Sequence, residues 1–187
     1  DWVNEEEFGF NTALTFNADG TMLCWMRYDE SAVQQYSLQL FKGLKPEQQE
    51  YAVYPGSYSY KYPKAGETNS VVTAWSYDIK SHRTQKLAVP LDADGYMPRI
   101  LPTSDADKIM VYTMNRHQDV LNLYTVNPRS TVARLLIKES VPKYVKEEAM
   151  AAIKVGSNTI LMPSDRDGYM HLYLYSQNGQ LLRKIAP

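Results

Sequence analysis

Two segments in the second half of the chain echo one another at a spacing of about 50 residues. Met110-Val111-Tyr112-Thr113-Met114-Asn115-Arg116 matches Ile160-Leu161-Met162-Pro163-Ser164-Asp165-Arg166. Leu123-Tyr124-Thr125-Val126-Asn127 matches Leu172-Tyr173-Leu174-Tyr175-Ser176. Each copy reads as a meander of short apolar strands. In the first these are residues 96–101, 109–115, 120–127 and 131–138; in the second, 149–155, 159–164, 171–176 and 181–185. Four strands per unit at this period is the pattern of propeller blades, which bury their faces only against neighbouring blades.

The first half fits the same scheme with an excursion. Residues 13–16 and 22–28 are strands around an Asn17-Ala18-Asp19-Gly20 turn, and residues 71–78 and 84–89 are a second strand pair. Residues 35–70 leave the blade between the two pairs. Within them 35–41 alternates, 42–55 is polar with room for one helical turn after Pro46, and 58–66 reads as an extended loop rich in Tyr and Pro. The expectation is an all-β chain, a sector of a β-propeller with about three four-stranded antiparallel blades at about 13–90, 96–138 and 149–186. Three blades with uncovered outer faces do not close a ring. The chain also begins with Asp, so we expect a processed product or an excised piece of a larger propeller.

Composition removes several functions. Net charge is −1, so no basic footprint points to nucleic acid. No apolar run among these 187 residues reaches the length of a membrane span. Cys24 is the only cysteine, which excludes an internal disulfide, and its neighbours Leu23, Trp25 and Met26 mark it as an inert core thiol. His82, His117 and His171 lack metal-ligand spacing, and His117 and His171 read as structural residues at matching blade positions. Asp165 and Asp167 fit a tight turn closed by Gly168, without the 12-residue pattern of an EF-hand. No metal, no cofactor and no catalytic residue is expected. In particular, no Gly-x-Ser-x-Gly elbow occurs.

The chemistry concentrates at the start. Glu5, Glu6 and Glu7 lie between Trp2 and Phe8. In a strand Glu6 and Glu7 would point to opposite faces; in a helical turn they stand about 100° apart and can converge on one small cation. A ligand ammonium suits such a pair, because its charge offsets the repulsion of two close carboxylates. A solvated acidic turn is the other reading of the same residues.

Four further stretches sharpen this. Trp2-Val3-Asn4-Glu5-Glu6-Glu7-Phe8 resembles the Trp-Val-x-Glu-Glu-Glu stretch of the dipeptidyl peptidase IV family. Tyr62-Pro63-Lys64-Ala65-Gly66-Glu67-Thr68-Asn69 resembles its Tyr-Pro-Lys-Ala-Gly-x-x-Asn signature. Asn115-Arg116-His117-Gln118 and Val126-Asn127-Pro128-Arg129-Ser130-Thr131 are similar to its bacterial members, and Asp165-Arg166-Asp167-Gly168-Tyr169-Met170-His171-Leu172-Tyr173 is similar to a motif of a late blade. The resemblance implies an eight-bladed propeller followed by a C-terminal α/β-hydrolase domain that this chain does not contain. It implies a serine exopeptidase that releases amino-terminal dipeptides, often after Pro or Ala, and assigns Glu6 and Glu7 to the free amino terminus of the peptide substrate. A homodimer and a periplasmic, secreted or surface location follow from the same source. The Tyr-Pro-Lys-Ala-Gly stretch itself reads as the return into the first blade, and residues 142–150 receive no site role. The alternative is a non-enzymatic propeller that binds proteins through its loops.

Overall fold

The computed structural model describes residues 1–9, 11–42, 51, 53–151, 153–155 and 158–185. Among the described residues, one short α-helix, α1 (Trp2–Phe8), precedes fourteen strands. The first sheet holds β1 (Leu14–Phe16), β2 (Met22–Asp29), β5 (Val71–Asp78) and β6 (Arg83–Lys86) in that order. A separate two-stranded hairpin, β3 (Gln35–Leu40) with β4 (Gly56–Lys61), leaves it between β2 and β5. The second sheet is the meander β7 (Tyr96–Pro102), β8 (Ile109–Met114), β9 (Val120–Val126) and β10 (Ala133–Ser140). The third is β11 (Ile153–Val155), β12 (Thr159–Ser164), β13 (His171–Ser176) and β14 (Leu181–Lys184). Every strand pair within the sheets is antiparallel. The architecture is the all-β, several-sheet arrangement read from the sequence.

Burial along the strands shows how the sheets stack. All six residues of β8 are buried, whereas β12 alternates between buried and half-buried positions. The middle sheet is therefore covered on both faces and the third on one. Side-chain alternation along a strand divides the core accordingly. Met110, Tyr112 and Met114 of β8 face a cluster that includes Ile160, Met162, Tyr173 and Tyr175. Ile109 and Val111 face the opposite cluster, with Met22, Cys24, Val72 and Ala74. The uncovered edges carry exposed apolar residues, Leu14 and Phe16 on β1 and Leu181 and Leu182 on β14.

The second and third sheets also meet backbone to backbone. β10 carries a register shift between Leu135 and Ile137, opposite β9. Such a bulge re-aims the residue it displaces. Gly179, in the turn between β13 and β14, has φ +83°, and a Cβ on it would lie 1.9 Å from the carbonyl oxygen of Leu136. Only glycine fits that approach.

Three local expectations need correction. Residues 58–66 are not wholly a loop, since 58–61 belong to β4 and pair with β3 in the register Tyr36 to Tyr60. The alternation Ser57-Tyr58-Ser59-Tyr60 gives that strand one aromatic side. Residues 149–155 are not one strand, because a 3₁₀ turn (Glu147–Met150) precedes the short β11. His117 and His171 are not equivalent: the first lies in the turn after β8 and the second opens β13. The helical turn expected after Pro46 falls on residues outside those described.

Candidate functional site

The helix α1 forms where sequence chemistry favours it. Asp1 caps its start, its side chain accepting from the Asn4 backbone N–H at 3.1 Å, and Gly9 ends it in a left-handed conformation. Val3, Asn4 and Phe8 are buried on one side. Val3 and Phe8 join the cluster between the second and third sheets, and the Phe8 ring meets Tyr96 of β7 edge-on at 5.2 Å. Trp2 meets Tyr62 edge-on at 4.5 Å, which ties the helix to the segment leaving the hairpin.

With those anchors set, Glu5, Glu6 and Glu7 project to solvent. Among the described residues, Glu6 and Glu7 take part in no ion pair and no side-chain hydrogen bond. They are consecutive on a helix and close to its carboxyl end, where the helix dipole adds to their mutual repulsion. A small cation placed between them relieves both.

The surroundings carry further charge. Tyr96 lies buried beneath the helix; burial raises its phenol above the ordinary range, Arg116 opposes the rise, and Glu7 adds to it. Arg116, in the turn after β8, donates from Nη2 to the Glu67 carbonyl at 2.9 Å. It thereby fastens the Tyr-Pro-Lys-Ala-Gly stretch to the second sheet. Gln118 in the same turn has φ +58°, and its carbonyl accepts from the Val145 N–H at 2.7 Å. Sequence reasoning gave residues 142–150 no role, yet Glu147 reaches the end of α1. A Cβ on Gly9 would stand 2.9 Å from Glu147 Oε1, which is itself paired with Arg99 at 3.1 Å. No motif signalled that approach, because it depends on the 3₁₀ turn.

The Asp165–Tyr173 motif serves packing. Asp165 pairs with Lys146 at 3.2 Å and Asp167 with Lys184 at 3.1 Å. Arg166 lies 4.5 Å over the Tyr173 ring and pairs with Glu139, which is 3% exposed and also accepts from the Ser164 hydroxyl. Cys24 is fully buried, and burial pushes its thiol up to about 12.

Stacked four-stranded antiparallel sheets, with an acidic helix lying on them, define a propeller segment. The family model for the dipeptidyl peptidase IV N-terminal region matches residues 1–187, and the chain belongs to that family. The crystal structure of Porphyromonas gingivalis dipeptidyl peptidase 4 superposes over 100% of this chain and 26% of its own, with TM-score 0.90 and 38% identity. A second solved structure, from Bacteroides ovatus, covers 92% of this chain and 23% of its own, with TM-score 0.75 and 27% identity. A Phaeosphaeria nodorum protein described as a probable dipeptidyl-aminopeptidase B is 29% identical over 91% of this chain and 20% of its own. The chain thus spans about a fifth of the length of that relative.

Proposed function

We propose that this segment is the amino-terminus-binding part of a dipeptidyl peptidase IV-like serine peptidase, with Glu6 and Glu7 holding the α-ammonium of a peptide. The observation that carries the reading is the pair itself: two adjacent, exposed, uncompensated carboxylates on a helix whose other side is anchored in the core. Two extended residues span about 7 Å, at ~3.3–3.6 Å each. An ammonium fixed at the pair therefore sets which peptide bond reaches a nucleophile at that distance. The pair orients and does not break bonds. The nucleophile belongs to a following α/β-hydrolase domain, so the 187-residue segment alone hydrolyses nothing. Release of Xaa-Pro or Xaa-Ala dipeptides, a homodimer and a periplasmic, secreted or surface location belong to the same reading. They are supported by kinship to the named relatives. Among the described residues, no helix is long and apolar enough to cross a membrane.

The test is Glu6→Gln and Glu7→Gln in the full-length protein. A hydrogen bond to a charged group contributes about 1.5–3 kcal/mol, so each change should lower kcat/KM on free-amine dipeptidyl substrates by about tenfold to a hundredfold. Activity should also decline above pH about 8, as the substrate ammonium loses its proton. Unchanged kcat/KM in both variants would leave the glutamates as a solvated turn.

A further inference from the structure

Three connections between strands converge on a cleft of about 770 Å³. The first is the segment 66–71 that runs into β5, the second the 92–94 stretch between β6 and β7, and the third the 115–117 turn after β8. Arg116 ties the first to the third, its Nη2 donating to the Glu67 carbonyl at 2.9 Å. Neither Glu6 nor Glu7 lines the cleft.

Each connection supplies a different chemistry. Asp92 and Asp94 present exposed carboxylates, and Glu67 adds another from the first connection. None of these carboxylates makes an ion pair among the described residues. The third connection is basic: a guanidinium carries five N–H donors, so the bond from Arg116 to Glu67 leaves others for a ligand, and His117 follows it at the surface. The first connection also holds a neutral group. Asn69 is 5% exposed, and among the described residues neither its side-chain oxygen nor its side-chain nitrogen has a hydrogen-bond partner. The Tyr96 phenol senses this amide, but no hydrogen bond of ordinary geometry joins them. A buried amide without partners costs free energy, and a fold keeps one where something else satisfies it.

We propose that this cleft binds a short peptide with both ends free. Asp92 and Asp94 take its α-ammonium and Arg116 its carboxylate. The Asn69 carboxamide, which both donates and accepts, takes the peptide amide. A ligand of one charge sign would leave either the carboxylates or the guanidinium unanswered; a zwitterion answers both. The probe is glycylglycine, titrated by calorimetry against the full-length protein carrying Glu6→Gln and Glu7→Gln, a background that removes the ammonium site proposed above. It should bind there, and acetyl-glycylglycine amide, blocked at both ends, should bind at least about tenfold more weakly. Asn69→Leu, close in shape and apolar, should weaken glycylglycine by at least about fivefold. Its Tm should be unchanged or raised, because the change removes an unpaired buried amide; a merely structural asparagine would leave binding where it was. If Asn69→Leu does not fold, Asp92→Asn with Asp94→Asn carries the test, since both side chains are exposed, and the expected loss is about tenfold. No binding of glycylglycine, equal binding of the blocked peptide, or indifference to these substitutions would each overturn the proposal. Binding to the wild type that vanishes in the Glu6→Gln, Glu7→Gln background would assign all of it to the glutamate pair and overturn the proposal as well. The role of that pair is decided separately, by kcat/KM.

Discussion

The two seams between the three sheets use similar apolar material but different fasteners. Between the first and second sheets the polar links are neutral and run to backbone carbonyls. Asn17 Nδ2 donates to Ala106 at 2.9 Å, the fully buried Ser76 hydroxyl donates to Pro128 at 2.7 Å, and the Ala88 N–H donates to Thr131 at 2.9 Å. Among the described residues, the one ion pair at that seam, Arg129–Asp78 at 2.8 Å, lies at its rim, with the Arg129 side chain 43% exposed. Between the second and third sheets the links are ionic: Glu139 from β10, 3% exposed, holds Ser164 and the partly exposed Arg166, and Lys146 pairs with Asp165 at 3.2 Å nearer solvent. The difference predicts different responses to damage. A lost neutral bond costs one hydrogen bond and its desolvated partner. A lost member of a buried ion pair leaves a charge away from water.

The largest effect should follow Arg166→Met, which strands the Glu139 carboxylate. We expect about 3 kcal/mol of destabilisation, the low end for a broken buried pair because Arg166 is partly open to solvent. Urea unfolding checks it. Replacing both partners, Glu139→Leu with Arg166→Met, should recover most of that loss, since the cost lies in the unpaired charge and not in the pair. A double variant as unstable as the single one would break the comparison. Ser76→Ala, at the neutral seam, should cost about 1–2 kcal/mol by leaving the Pro128 carbonyl unpaired; a loss as large as that of Arg166→Met would erase the distinction.

The smallest effect is in the pH response. Burial first, and then the hydrogen bond to Asp167 at 2.6 Å, push the Tyr173 phenol up to about 12. A phenol raised in the fold stabilises it fully below its ordinary value of 10, and that contribution fades as pH rises through about 12. Asp167 moves the other way: the Tyr173 and Lys184 bonds hold it below its ordinary 3.8, so its contribution is present above 3.8 and fades at lower pH. Tyr173→Phe should therefore flatten the alkaline loss of stability between pH 10 and 12, measured as Tm against pH. An unchanged alkaline limb would place that sensitivity elsewhere, with the buried thiol of Cys24 as the next group to remove.

The stacked sheets were legible because β8, β9, β12 and β13 recur at one spacing and carry apolar residues on a period of two. Such a pattern has few ways to be buried other than between like neighbours. The helical turn around Glu6 and Glu7 was legible only as the conformation that lets two adjacent carboxylates share one cation; the Asp1 cap and the Gly9 stop came from the structure. Its use rested on resemblance, since exposure and freedom from partners are properties of the fold. The hairpin was missed although Ser57-Tyr58-Ser59-Tyr60 alternates. Its partner strand lies some twenty residues away, and Tyr-Pro-Lys-Ala-Gly turned attention to loop chemistry. The link from Glu139 to Arg166 was hidden for a similar reason: its members lie 27 residues apart and meet only after two sheets have stacked.

The contact of Gly179 with the displaced carbonyl of Leu136 has a geometric consequence. Each seam of a propeller fixes an angular step, and the steps must sum to a full turn for the ring to close. At this seam the step is set where two main chains touch with no side chain between them, so it is as stiff as the backbone itself. A methyl group there would act as a shim, prying the third sheet from the second at one end and tilting the sheets beyond it. The error would grow with radius, and a closing strand far along the chain would miss its partner. A single hydrogen in place of a methyl thus sets the local curvature of the propeller.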